Sequence, residues 1–98
     1  MDDIIQLGGN ISLAGFNELE QAKMIVIKKI TGNYVKKMQE KTKNFEGLSL
    51  HLKNVHTSKF ELQAKAMANG QAFNSEITDF NLFFALDKAL AKILAEIS

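Results

Sequence analysis

The 98-residue sequence has no cysteine, no proline and no arginine, and each absence narrows the field. Without cysteine there is no disulfide framework and no thiolate metal site, which fits a reducing compartment. Without proline no predicted element is interrupted and no proline-rich linker divides the chain. Without arginine all twelve cationic side chains are lysines. A lysine ammonium neutralises a phosphate as a point charge but cannot fork onto a guanine edge or a carboxylate. Any polyanion bound by such side chains would be held by its backbone, with little sequence preference.

Long apolar runs are missing too. The longest, Met24 to Ile27 and Leu82 to Leu86, are four and five residues, far short of the roughly 20 that a membrane-spanning helix needs. The start, Met1-Asp2-Asp3-Ile4, is acidic where a secretory signal would be basic. The expectation is a cytoplasmic protein with no membrane association. With 46% hydrophobic and 23% charged residues the composition is ordinary for a folded protein, and the length predicts one domain over residues 1–98.

The net charge of +1 hides an uneven distribution. Residues 23–65 hold ten lysines against Glu40, Glu46 and Glu61, a balance of +7, while the remainder holds Lys88 and Lys92 against eight acids, a balance of −6. A basic middle of this kind can present a basic face on a nearly neutral protein.

The patterning predicts an α+β fold in the order β-α-β-β-β-α. Ile4-Ile5-Gln6-Leu7 reads as a strand entering a Gly8-Gly9-Asn10 turn, and residues 11–17 as a connecting loop. Asn17 with Glu20 three residues on resembles a capping box. From Glu18 to about Glu40, Leu19, Ala22, Val26, Ile27, Ile30, Tyr34 and Met38 recur at threes and fours, a helix with one apolar face. Lys29, Lys36 and Lys43 recur at sevens on the opposite face, with Lys28 nearby. Two period-two runs, Glu46 to Lys53 and Lys59 to Ala66, predict half-buried strands. Asn54 to Ser58 turns between them, and Asn69-Gly70 is a strong hairpin signal before a strand over Gln71 to Thr78. Asp79 then caps a last helix whose apolar face runs through Phe80, Leu82, Phe83, Leu86, Leu90, Ile93, Leu94 and Ile97.

The two strands flanking the first helix are expected to pair in parallel and the rest antiparallel. The result is a four-stranded mixed sheet with both helices packed on one face. The other face, bearing Ser49, His51, Lys53, Lys59, Glu61, Gln63, Lys65, Asn74 and Glu76, would be polar and open.

Catalytic patterns do not emerge. There is no nucleophile elbow and no phosphate-binding glycine loop of known type, Gly8-Gly9-Asn10 reading as a turn. His51 and His56 lack carboxylates at metal-ligand spacing, so neither a metal nor a cofactor is expected. Phe80 and Phe83 read as core, Phe84 as nearer the edge. For the lysine stripe, a solvated helix face and a surface for an anionic partner both fit.

Two segments carry a family resemblance. Ile5-Gln6-Leu7-Gly8-Gly9-Asn10-Ile11 is similar to the opening strand and turn of the hibernation-promoting-factor family of ribosome-associated proteins. Asp79-Phe80-Asn81-Leu82-Phe83-Phe84-Ala85-Leu86-Asp87-Lys88-Ala89-Leu90-Ala91-Lys92-Ile93 resembles that family's last helix. The resemblance implies a non-enzymatic protein that binds the small ribosomal subunit through basic residues on both helices. It also implies likeness to double-stranded-RNA-binding domains, which read helix shape and phosphates. Carried onto this sequence, the RNA-binding candidates are Lys28, Lys29, Lys36, Lys43, Lys88 and Lys92. The sequence departs from the family at Gly9, where the turn is usually basic, and in its lack of arginine. With the sequence running Ala95-Glu96-Ile97-Ser98, the family's basic extension after the last helix is expected to be lacking. Ribosomal RNA or the small subunit is the partner this reading implies. The alternative is a protein-interaction module, or a homodimer, that uses an open sheet edge or face.

Overall fold

In the computed structural model, which describes residues 4–55 and 58–97, the two alternating runs form the centre of a sheet. The elements are β1 (Ile4–Gly8), β2 (Ile11–Ala14), α1 (Gln21–Lys41), β3 (Phe45–Val55), β4 (Lys59–Ala68), β5 (Gln71–Asp79) and α2 (Leu82–Ile97). Leu48, Leu50 and Leu52 of β3 and Leu62, Ala64 and Ala66 of β4 are buried on one side. Ser49, His51, Lys53 and Lys65, one residue out of phase, are exposed on the other. Between β4 and β5, Asn69 and Gly70 take φ of 53° and 76°, the left-handed pair that a two-residue hairpin turn of this twist demands. This end is pinned from outside: Asn69 N–H donates to the Asn44 carbonyl at 2.8 Å, and Gly70 N–H to the Glu46 carboxylate at 2.7 Å. The turn expected over Asn54–Ser58 lies partly outside the described residues, with Asn54 and Val55 still in β3.

The sheet has five strands in sequential order, not four. Ile11-Ser12-Leu13-Ala14, expected to be loop, is β2, pairing antiparallel with β1 and parallel with β3. The strand parallel to β3 is therefore β2, and the opening strand is displaced to the edge. The cause is local. Gly8, Gly9 and Asn10 hold φ of 86°, 57° and 67°, so the chain reverses at once, and Ile11 and Leu13 then drop alternately into the core. After β2, Gly15 at φ 84° runs against the backbone carbonyl of Leu52, where a Cβ would collide, and Phe16 is fully buried.

Both helices cover the apolar side of the sheet, as expected, but each starts later than its sequence signals suggest. Asn17 does not cap α1. Residues 17–19 form a turn in which Leu19 N–H donates to the Phe16 carbonyl at 3.2 Å, and Glu20 occupies the cap position without a side-chain bond. The buried stripe of α1 is Ile27, Thr31, Val35 and Met38, rotated from the predicted face: Ala22 and Val26 are exposed, Ile30 and Tyr34 half-buried. Ile25, Val26 and Ile27 are consecutive and fan across about 200° of the helix, so the sheet covers one of the three. It covers Ile27, and Thr31 follows into the core.

In α2, Leu82, Ala85, Leu86, Ala89, Leu90, Ile93 and Ile97 are buried. Asp79 is not the cap but the last residue of β5. Its Oδ1 accepts Asn81 N–H at 2.9 Å, and Asn81 Oδ1 in turn accepts Phe84 N–H at 3.1 Å, so Asn81 caps the helix. Phe80 precedes the first helical turn, escapes the helix periodicity and is 65% exposed rather than core. Ser75 Oγ, buried in β5, donates to the Ala89 carbonyl at 2.8 Å and ties α2 to the sheet.

Two contacts link the helices: Tyr34 Oη donates to Asp87 Oδ1 at 2.7 Å and Lys41 Nζ to the Leu94 carbonyl at 3.0 Å. Both sequence separations are 53 residues, so a step of two turns along α1 matches the same step along α2. The helices therefore run parallel. No helix of the described residues is long and apolar enough to cross a membrane.

Candidate nucleic-acid interface

Helix α1 carries six lysines, at 23, 28, 29, 36, 37 and 41, against the single acid Glu40. Its inner stripe is fixed by Ile27, Thr31 and Met38, and at 3.6 residues per turn Lys29 and Lys36 project nearly opposite, with Lys28 on a flank. All three are exposed, and no carboxylate of the described residues pairs with them. Lys43 is exposed in the bend beyond the end of α1. These four form a basic strip running past the length of the helix.

The two candidates on α2 are placed differently. Lys88 is exposed on the outer side, its Nζ 5.3 Å from the centroid of the Phe84 ring. Lys92 lies on the flank towards β5, where it borders the open sheet face together with Asn74 and Glu76. The six predicted lysines thus do not form one cluster. Lys37 and Lys41 are not among them: Lys37 Nζ is 5.5 Å from the ring centroid of Tyr34 on the same helix, and Lys41 holds the Leu94 carbonyl of α2. Both are in the same basic segment of sequence; Lys37 meets a ring of its own helix three residues back, whereas the partner of Lys41 comes from α2.

The Tyr34 phenol is pushed up to about 12, first by burial and then by its hydrogen bond to the Asp87 carboxylate. It is a neutral donor at physiological pH and serves as a latch, not an acid or base.

The open sheet face is electrically mixed. A trough of about 540 Å³ crosses it, bordered by Ser49, His51, Gln63, Lys65, Glu76 and Lys92. A hydrogen bond to Glu76 holds the Glu61 carboxyl above its ordinary value, while Glu76 is held below by Glu61 and by Gln63. These two carboxylates among the lysines of an exposed face make it a poor match for a polyanion. His51 is exposed there, and His56 lies outside the described residues. Among the described residues no group of three or more His, Cys, Asp or Glu side chains is arranged to hold a metal.

Two parallel helices on one face of a five-stranded mixed sheet define an α+β class with known examples. The crystal structure of the N-terminal domain of Protein Y from Thermus thermophilus has the same fold, with a TM-score of 0.63 and 16% sequence identity over 82% of this chain and 83% of that one. No protein-family model matches the sequence, and no curated protein matches it. At 16% identity the similarity is one of fold.

Proposed function

We propose that this chain is a non-enzymatic RNA-associated protein that docks on structured RNA, that of the ribosome foremost, through the lysine-bearing outer side of α1. The observation that carries the reading is the six-to-one excess of lysine over acid on a single helix, with Lys28, Lys29 and Lys36 exposed and unpaired among the described residues. Ammonium groups at this spacing can follow a phosphate backbone and release its counterions. Protein Y, whose N-terminal domain shares the fold, belongs to the ribosome-hibernation group that the sequence resembles, which favours the ribosome among structured RNAs. Lys43, Lys88 and Lys92 extend the contact, and no cofactor takes part.

Cosedimentation with ribosomes and filter binding to ribosomal RNA at about 50 mM salt test this. Binding should fall steeply as salt rises. The double variant Lys29→Glu/Lys36→Glu should lose roughly tenfold or more, with a shallower salt slope. Failure to bind at low salt, or binding indifferent to the two reversals, overturns the reading.

A second reading rests on β5, whose nine residues leave one side of the sheet unpaired. A free edge of that length can add a strand from a second copy or another protein. Light scattering that gives a strict monomer at high concentration counts against a homodimer.

A further inference from the structure

At the end of the molecule where both helices begin, a cleft of about 360 Å³ is lined by Phe60, Phe80, Leu82 and Phe83, with Lys23 and Asn81 supplying the polar groups. Phe80, 65% exposed, projects most of its ring into solvent, and Lys59 Nζ stands 5.3 Å from that ring's centroid. The ring adjoins the apolar lining of the cleft, Phe60, Leu82 and Phe83, so it does not stand alone. The hydrogen bonds at the helix start fix its position: Asp79 holds the Asn81 amide and Asn81 caps α2, so the backbone on either side of Phe80 is anchored while the ring is free. An aromatic face flanked by two lysines, Lys23 from α1 and Lys59 from β4, matches a flat ring attached to an anion.

We propose that this cleft takes an unpaired RNA base, stacked on Phe80, with its phosphate held by Lys23 and Lys59. The inference rests on the RNA-binding reading above and adds the substrate class: paired RNA with an unpaired nucleotide next to it. Two lysines, against an Asp79 carboxylate already engaged by the Asn81 N–H, favour this occupant over an apolar protein segment. Lys23 lies on the inner flank of the same helix, about 9 Å along its axis from Lys29 and about 20 Å from Lys36, within the span of a single RNA. Stacking is tolerant of base identity, in keeping with a chain that lacks arginine for reading base edges. The lysine stem is long enough for the ammonium to leave the ring and follow the phosphate while the base lies on the phenyl face.

The experiment uses the full chain and two RNA probes, a blunt duplex of about 16 base pairs and the same duplex with a single-stranded overhang of about four nucleotides. Phe80→Ala should weaken binding of the overhang probe about 5- to 150-fold and leave the blunt duplex unchanged, since one stacked base contributes that much. The chain has no tryptophan, so Phe80→Trp introduces a single indole; it should keep affinity for the overhang probe, and its fluorescence should be quenched by that probe and not by the blunt one. Lys29→Glu/Lys36→Glu should weaken both probes. If both probes bind while Phe80→Ala affects neither or affects both alike, or if the indole is not quenched, the stacking inference fails and the lysine strip survives. Binding of a protein partner through Phe80, with RNA binding unchanged by Phe80→Ala, also overturns it. If neither probe binds at low salt, the RNA-binding reading falls as well.

Discussion

Replacing Thr31 with valine should make the protein more stable. The threonine side chain is fully buried in the stripe with Ile27, Val35 and Met38, and among the described residues its hydroxyl has no hydrogen-bond partner, not even the Ile27 carbonyl one turn back. A buried, unmade hydrogen bond costs about 1–3 kcal/mol. Valine has the same branched shape, nearly the same helix propensity and no polar atom. Thr31→Val should therefore stabilise by about 1–2 kcal/mol, which for a chain of this length raises Tm by roughly 5–10 °C. Thr31→Ser makes the complementary change: it keeps the unpaired hydroxyl and deletes the packed methyl, losing about 1 kcal/mol. Urea and thermal unfolding of the three proteins measure both effects, and an unchanged m-value confirms that the unfolded state is not responsible. If Thr31→Val is neutral or destabilising at constant m, the hydroxyl is bonded and this account of the core is wrong.

Two further predictions concern the helix pair and the tight backbone turns. Tyr34→Phe keeps the ring and removes the latch to Asp87, costing about 1 kcal/mol near neutral pH, at the low end for a charged acceptor because the site is half-exposed. The phenol ionises near 10 when unfolded and at about 12 when folded, so the stability due to it is complete below pH 10 and lost as pH rises to 12. The gap between wild type and variant should narrow over that interval. Since this is the sole tyrosine of a chain without tryptophan, phenolate absorbance reports it directly, and a folded-state midpoint near 10 would refute the latch. Gly15→Ala forces a methyl into the Leu52 carbonyl at φ 84° and should cost well over 2 kcal/mol. Gly70→Ala, with φ 76° but open space around it, should cost only about 1–2 kcal/mol of backbone strain. Equal shifts in the urea midpoint for the two glycines would mean that the clash is not there.

How much of this was legible in the sequence depended on how many residues each signal spanned. The β3–β5 meander, with runs of eight or more residues and an Asn-Gly turn, was readable because register and burial repeat many times. β2 was not, because alternation over Ile11-Ser12-Leu13-Ala14 is too short to stand out, and the reversal before it is made by three consecutive left-handed residues that also suit an irregular loop. The α1 face was misjudged because apolar residues occur all round its first two turns and a threonine, not an isoleucine, occupies the core position. Phe80 was drawn into the α2 pattern although Asn81 starts the helix after it. Of the candidate site, the exposure of Lys28, Lys29 and Lys36 could be foreseen from helical spacing alone. The tying of Lys41 to α2 could not, since the Leu94 carbonyl stands beside it only once α2 is alongside.

The parallel pairing of α1 and α2 has an electrical consequence. Each helix is a row of aligned peptide dipoles, equivalent to about half a positive charge at its start and half a negative one at its end. Antiparallel neighbours would cancel; these two add. That shared positive end meets carboxylates as well as ammonium groups. Glu20 stands at the cap position of α1 and Asp79 accepts the Asn81 N–H before α2, while Lys23 and Lys59 stand nearby. The backbone is thus polarised along the length of the protein, and Glu20 and Asp79 stand where a carboxylate gains most from that field.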